Sequence, residues 1–252
     1  MSRKTSEGHR RVSARQVLAG FTVAAIMAAC STTQQAAVSD KSTTYCPFLG
    51  SALCAKLTAN EIPGRFSGEA AIPLAGLRWV NPNAQWTQYT KIMIAPGTFW
   101  AGDNSSVSAA DQQALTNYFY NALNTALAKK FQIVDQPGPG VMEIQVAIDD
   151  VETATPVLRS VSMVVPQARA LATLKYLATG TYAFVGGAQA EAKVTDSLTG
   201  QVLVAAVDKR VGGGSLKTAA QWQWGDAENA MDAWSQQAAD RLSSWTSGTA
   251  PS

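Results

Sequence analysis

Three acidic residues, Asp149, Asp150 and Glu152, form a cluster whose side chains suit catalysis or metal binding. A pair of carboxyl groups can hydrolyse a glycosidic bond, and carboxylate oxygens can hold Ca²⁺ or Mg²⁺. The cluster lies at the C-terminal end of a segment, residues 142–149, in which apolar and polar residues alternate. This alternation predicts a strand with one solvated face. Alternation directs Asp149 and Asp150 to opposite faces unless a bulge interrupts the strand. We therefore interpret the cluster as a solvated strand end.

Cys30 follows a basic segment and then an apolar one, which is the order found in export signals. Five basic residues lie within residues 3–15, and residues 17–29 are apolar and end in small residues. This run is too short to span a bilayer, which takes about 20 residues. Its end, MAAC, resembles the lipobox of bacterial lipoproteins. The resemblance implies that a signal peptide, residues 1–29, is removed and that Cys30 carries a diacylglycerol. The alternative is a plain secretory signal with an incidental cysteine.

The residues after Cys30 predict where the anchored protein resides. A processed lipoprotein carries three acyl chains, palmitate among them, and each buried methylene contributes about 0.8 kcal/mol to membrane binding. Asp next to the lipid tends to retain lipoproteins in the inner membrane, so Ser31 favours the outer membrane, facing the periplasm. Residues 31–44 are too polar to order themselves. We predict that residues 30–45 form a flexible lipidated tether with a reach of roughly 20 Å.

Cys46 and Cys54 remain in the body of the protein, in the segment CPFLGSALC. Because the periplasm is oxidising, a structural disulfide is the default for such a pair. A redox role is disfavoured because the spacing is not C-x-x-C, and zinc is disfavoured because two sulfurs have no imidazole beside them. We predict a Cys46–Cys54 disulfide that staples an N-terminal extension.

Composition excludes several classes of function for the processed chain. The chain has 20 basic and 18 acidic residues, and removing the five basic residues and Glu7 of the signal leaves 15 and 17. No basic surface therefore argues for nucleic acid as a partner. The single histidine, His9, also lies in the signal, which excludes catalysis and metal ligation by histidine in the rest. We predict no metal, no cofactor and no catalytic residues.

Two amphipathic segments predict helices. Ser108 and Asp111 form a start that resembles a capping box, and an apolar stripe follows at every fourth residue. This stripe consists of Leu115, Phe119, Leu123 and Leu127. A second helix is predicted to begin at Asp226 as its N-cap, with Trp234 and Trp245 on its apolar face.

Short runs of apolar residues between the helices predict a sheet. Residues 91–95 and 131–134 indicate two buried strands. Residues 181–194 and 201–211 indicate a hairpin whose turn places Gly200 at positive φ, and Gly186-Gly187 indicate a bulge or a close backbone approach. The order β-α-β-β-β-β-α predicts an α+β fold: one two-layer domain, residues 46–246, with an antiparallel-rich mixed sheet and two helices on one face. Residues 247–252 are predicted to be a disordered tail.

Several stretches together resemble the bacterial lipoprotein family catalogued as domain of unknown function 3313. They are CPFL, LRWVNP, KIMIAP, the helix AADQQALTNYFYNAL, VAIDDVETATP, DSLTGQVL and WGDAENAMDAW. The match covers nearly all of residues 46–245. It implies an envelope lipoprotein with an α/β sandwich, and it implies no activity and no catalytic residues.

Two apolar features are candidates for a partner surface. Trp222 and Trp224 alternate in a loop-like segment, where they could also stack on a sugar ring. Residues 156–166 are apolar, are bracketed by prolines and lie in a long connection of a kind that is often functional. The alternative is that this connection folds over the sheet and is buried. The candidate surface consists of Val157, Leu158, Met163, Val164, Val165, Trp222 and Trp224.

The sequence thus predicts a non-enzymatic binding or scaffold module, anchored by lipid to the outer membrane, whose partner is an unidentified envelope protein. Two alternatives stay open. One is a hydrolase of cell-wall glycan that uses two carboxyl groups about 5 to 10 Å apart in one pocket. The other is a periplasmic protein that binds a divalent metal.

Overall fold

The structure is a computed structural model that describes residues 33–36, 38, 46–59, 76–100, 107–154, 185–213, 223–249 and 251. Cys30 and the predicted signal peptide lie outside the described residues. So does the predicted partner surface, with the exception of Trp224. No helix within the described residues is both long enough and apolar enough to cross a bilayer.

The described strands form a single mixed sheet. The strands are β1 Thr33–Ala36, β2 Thr58–Ala59, β3 Leu77–Val80, β4 Lys91–Ile94, β5 Thr98–Phe99, β6 Gln132–Ile133, β7 Val141–Glu152, β8 Gly187–Asp196 and β9 Val202–Gly212. Their order is β2-β3-β9-β8-β7-β4-β6, with β1 also on β9 and β5 also on β7. The pairs of β7 with β8 and β8 with β9 are antiparallel, whereas β4 pairs in parallel with β6 and β7. The predicted α+β fold with an antiparallel-rich sheet is confirmed.

Three helices are described: α1 Ser51–Cys54, α2 Ala109–Leu127 and α3 Gly225–Thr246. The predicted start of α2 is confirmed, because the Ser108 hydroxyl accepts the Asp111 backbone N–H at 3.1 Å. The prediction that Asp226 is the N-cap of α3 was wrong, since the helix begins at Gly225 with Trp224 as N-cap. Asp226 lies in the first turn, and its carboxylate accepts the backbone N–H of Gly186 at 2.8 Å.

The helices α2 and α3 cover one face of the sheet and bury the main core. Their stripes pack against the sheet residues Ile92, Met142, Ile144 and Leu203, all of which are buried. Trp234 and Trp245 belong to this core, as predicted. A second, smaller cluster lies around Ala205 and Val207 of β9, and it includes Cys46 and Leu49. The disulfide loop, residues 46–54, therefore covers apolar surface on the sheet that the helices leave open.

The glycines of the hairpin take the predicted roles. Gly200 has a φ of 70°, and the preceding turn is held by Asp196, whose carboxylate accepts the Thr199 backbone N–H at 2.8 Å. A Cβ at Gly187 would lie 2.6 Å from the Arg210 carbonyl oxygen, and one at Gly186 would collide with the Glu152 carbonyl oxygen. Backbone segments therefore approach each other closely at this end of the sheet.

The predicted flexible tether is wrong for residues 33–36, which form β1. This strand pairs antiparallel with residues 209–212 of β9, next to the part of β9 that pairs with β3. The Thr33 hydroxyl donates to the Val211 carbonyl at 3.0 Å. A polar segment of this kind cannot order itself, but the edge of an existing sheet supplies the backbone hydrogen bonds that it lacks.

The predicted disordered tail is likewise wrong for residues 247–249. These residues continue α3 into a turn, in which the Ser247 and Gly248 backbone N–H groups donate to the carbonyl groups of Ser243 and Trp245. Gly248 has a φ of 98°, which suits the residue that follows a helix.

Candidate functional site

The predicted disulfide between Cys46 and Cys54 is present and closes the loop that packs on β9. Cys46 is 2% exposed, and Leu49 lies beside it against the sheet. Gly50 precedes α1 at a φ of 77°, so the chain reverses within the loop and returns to Cys54. The bond therefore holds a compact element against the sheet.

Glu191 of β8 attaches this loop to the sheet. Its side chain is fully buried, and its Oε2 accepts the backbone N–H of Leu49 at 2.7 Å. The Phe48 backbone N–H donates to the same carboxyl group. The ammonium of Lys193 lies 4.7 Å from the centre of the Phe48 ring. Hydrogen bonds to a buried carboxylate are the stronger class of hydrogen bond, so Glu191 is the polar centre of this contact.

Asp149 lies beside Glu191, and the prediction that it belongs to a solvated strand end was wrong. The register of β7 and β8 shifts between Ile148 and Asp150, so Asp149 is the extra residue of a bulge. Both of its carboxylate oxygens are buried and lack a hydrogen-bond partner of good geometry. Burial, together with the charge of Glu191, raises the pKa of Asp149 to about 9. Burial also raises the pKa of Glu191.

The other two members of the acidic cluster lie where the sequence predicts. Asp150 is exposed, and Glu152 is exposed and pairs with the Lys209 ammonium at 2.6 Å. The two carboxyl groups that do converge, Asp149 and Glu191, lie beneath the disulfide loop. Among the described residues, no group of three or more His, Cys, Asp or Glu side chains is arranged to hold a metal ion.

A second polar cluster surrounds Asp208 of β9. One carboxylate oxygen accepts Gln35 Nε2 at 2.6 Å, and the other accepts the indole N–H of Trp234 at 2.7 Å. The Arg210 Nε lies 3.5 Å from the second oxygen. Burial raises the pKa of Asp208, and these partners oppose that shift. Asp208 therefore joins β1, β9 and α3 at one point.

A cavity of about 630 Å³ opens beside Asp208, between α3 and the sheet. Its apolar lining includes Phe119, Ile144 and Leu242, which are all buried. Its charged lining includes Arg78 and Arg241, which are both partly exposed. The sequence patterns did not predict this site. One signal was available, because Trp234, Arg241 and Trp245 are spaced seven and four residues apart and so share one face of a helix.

Trp224 is not a surface residue, contrary to the prediction. It is 3% exposed and belongs to the main core, because it sits where the chain turns into α3. Trp100 is the exposed tryptophan of the described part, at 47%, and it contacts the Phe48 ring of the disulfide loop edge-on. Trp222 and the apolar residues 157, 158 and 163–165 lie outside the described residues.

The fold and these sites define an α+β domain with helices on one face of a mixed sheet and a disulfide loop on part of the other. A model of the DUF3313 family, described as a protein of unknown function, matches residues 71–238. The chain belongs to this family. No curated protein matches the sequence.

Solved structures with a similar chain path are distant in sequence. A PelC dodecamer from Paraburkholderia phytofirmans is 10% identical with a TM-score of 0.38, and the match covers 67% of this chain and 97% of that one. A protein from Xanthomonas campestris of family-model DUF330 is 11% identical with a TM-score of 0.37, and the match covers 68% of this chain and 95% of that one.

Proposed function

We propose that this protein is a lipoprotein anchored through Cys30 to the outer membrane, with its folded domain facing the periplasm. It acts there as a non-enzymatic module that binds or scaffolds another envelope component. The Cys46–Cys54 disulfide carries the proposal, because such bonds persist in oxidising compartments and are rare in the cytosol. The MAAC sequence that ends at Cys30 supports the anchor.

The position of β1 supports close contact between the domain and the membrane. Only Ser31 and Thr32 separate Cys30 from the first residue of β1. At roughly 3.5 Å per residue, Cys30 then lies within roughly 10 Å of Thr33. Thr33 pairs with Gly212, so the end of the sheet that carries Gly212 is nearest the bilayer. The domain therefore rests against the membrane surface rather than below a long tether.

Mass measurement of the protein isolated from its native membranes tests the anchor. The expected mature chain begins at Cys30 and carries the added mass of a diacylglyceryl group and an amide-linked acyl chain. Cys30→Ala is expected to accumulate as an uncleaved precursor. A wild-type chain without acyl groups, recovered from the periplasmic extract, contradicts the anchor.

Separation of the inner and outer membranes by density tests the location. We expect the wild type in the outer-membrane fraction and Ser31→Asp, its matched variant, in the inner-membrane fraction. Recovery of both proteins in the inner membrane contradicts the proposed location.

Crosslinking in cells, followed by mass spectrometry, tests the binding role. The expected result is one envelope component that recurs in independent experiments with the wild type and is lost with Cys30→Ala. Recovery of the wild type alone under several mild conditions contradicts a scaffold role.

A further inference from the structure

The cavity beside Asp208 exists because several of the sheet residues that face α3 are small. Ala192 of β8 pairs with Ala206 of β9, and Ala190 pairs with Asp208. All four residues line the cavity. Protein interiors are otherwise close-packed, so an opening of about 630 Å³ is far larger than a packing defect. It falls in the size range of sites for small ligands, about 300–1,000 Å³.

The apolar and charged parts of the cavity differ in exposure. Phe119, Ile144 and Leu242 are at most 3% exposed, so they form the inner wall. Arg78 and Arg241, by contrast, are partly exposed. The guanidinium of Arg78 lies 5.9 Å from the centre of the Trp245 ring. The cavity therefore combines buried apolar side chains with partly exposed arginines.

Arg241 lies among other charged side chains at the cavity. Among the described residues, the charges of Arg78 and Arg210 act on Arg241, and the carboxylate of Asp208 opposes their effect. Both oxygens of Asp208 already accept hydrogen bonds, from Gln35 and Trp234. Burial and the charges of Arg78 and Arg210 lower the pKa of Arg241, because like charges repel one another. A bound anion relieves this repulsion.

We propose that this cavity binds a single-chain anionic amphiphile, with the acyl chain against Phe119, Ile144 and Leu242 and the anionic head group on Arg241. The head group is a carboxylate or a phosphate, since the planar guanidinium donates two parallel hydrogen bonds to either. The inference gives the proposed binding role a ligand class and rests on that role, although it does not depend on the lipid anchor.

Native mass spectrometry of the acylated protein, released from a nonionic detergent, tests the site. Four probes separate the contribution of the head group from that of the acyl chain. They are decanoate, lysophosphatidylglycerol, the neutral decanol, and acetate. We expect retained adducts with decanoate or lysophosphatidylglycerol, and none with decanol or acetate. Stronger retention of decanoate indicates a carboxylate head group, and stronger retention of lysophosphatidylglycerol indicates a phosphate head group.

Variants relate the adducts to the cavity. Arg241→Gln is expected to reduce retention of the amphiphile about tenfold or more, because the variant loses one charge-assisted hydrogen bond. Arg241→Lys is expected to recover part of it. Ala206→Leu, which fills the cavity and keeps every charge, is expected to abolish retention. Lys130→Gln removes an exposed charge at the end of α2 and is expected to retain the ligand as the wild type does.

Three results overturn the inference. The first is equal retention of decanol and decanoate, which indicates detergent-like adsorption. The second is equal retention by Ala206→Leu and the wild type. The third is the absence of any adduct in a folded wild type. Each leaves the proposed anchor intact, because acylation of Cys30 is measured on the same protein by its mass.

Discussion

The Oε2 atom of Glu191 lies 2.7 Å from the backbone nitrogen of Leu49, and this hydrogen bond attaches the disulfide loop to the sheet. Glu191 is fully buried, so the hydrogen bond forms away from water. A buried carboxyl group of this kind is stable only if its oxygens are satisfied or if it holds a proton. The Leu49 N–H satisfies Oε2 of Glu191, whereas Oε1 has no hydrogen-bond partner among the described residues. Burial raises the pKa of Asp149 and of Glu191, which favours a proton on this pair.

Removal of the Glu191 carboxyl group should destabilise the fold. Glu191→Ala leaves the buried N–H group of Leu49 without an acceptor, at about 1–3 kcal/mol. Glu191→Gln keeps an acceptor and should cost much less. Urea unfolding at pH 7 measures the two free energies of unfolding. Equal stability of Glu191→Ala and the wild type contradicts the attachment.

The stability of the wild type should decrease as the pH rises from about 4 to about 9. The ordinary pKa of an aspartate side chain is 3.8, whereas the pKa of Asp149 in the folded protein is about 9. The folded state therefore binds more protons than the unfolded state across this interval. The free energy of unfolding then falls with pH, by at most about 1.4 kcal/mol per unit for one proton. Urea unfolding at intervals between pH 5 and pH 8 measures the slope.

Asp149→Asn should reduce this slope and raise stability near pH 8, because the variant has no proton to lose at this position. Asp150→Asn is the matched control, since Asp150 is the exposed neighbour and its charge is the smallest of the causes that raise the pKa of Asp149, so most of the slope should remain. If the wild type has a flat profile, or if the slope persists in Asp149→Asn, the carboxyl pair does not hold a proton.

Loss of the disulfide should lower the free energy of unfolding by about 2.5 kcal/mol, which is the chain-entropy value for a nine-residue loop. The double variant Cys46→Ser, Cys54→Ser tests this value. Because the loop covers Val207 and Ala205, we also expect faster amide exchange in β9. Unchanged exchange there would mean that the loop does not protect the sheet.

Gly186→Ala should destabilise the end of the sheet that carries Glu152, by about 1–3 kcal/mol. A Cβ at this position would collide with the Glu152 carbonyl oxygen and lie 2.6 Å from the Ala154 nitrogen. Gly138→Ala is the control, because its Cβ would meet only a Val141 methyl at 3.9 Å. Thermal unfolding compares the two, and equal melting temperatures would rule out the close approach.

The amino-acid sequence by itself predicted the features that depend on residues close together in the chain. Ser108 and Asp111 cap α2 because they are three residues apart, and Gly200 closes a five-residue turn. The disulfide followed because Cys46 and Cys54 are the two cysteines left after Cys30 is assigned to the lipid. Each prediction rests on a few neighbouring residues, whose spacing leaves few alternatives.

The tertiary structure alone decided which distant residues meet. The Thr33 hydroxyl donates to the Val211 carbonyl across 178 positions, where polar composition alone predicted a tether. The partner of Asp149 is Glu191, and a single extra residue in β7 reverses the face on which the aspartate lies. Asp208 and Arg241 meet at the cavity because small residues on β8 and β9 leave room beneath α3. Strand pairing and register fix these contacts, and neither is encoded by the local periodicity from which strands are predicted.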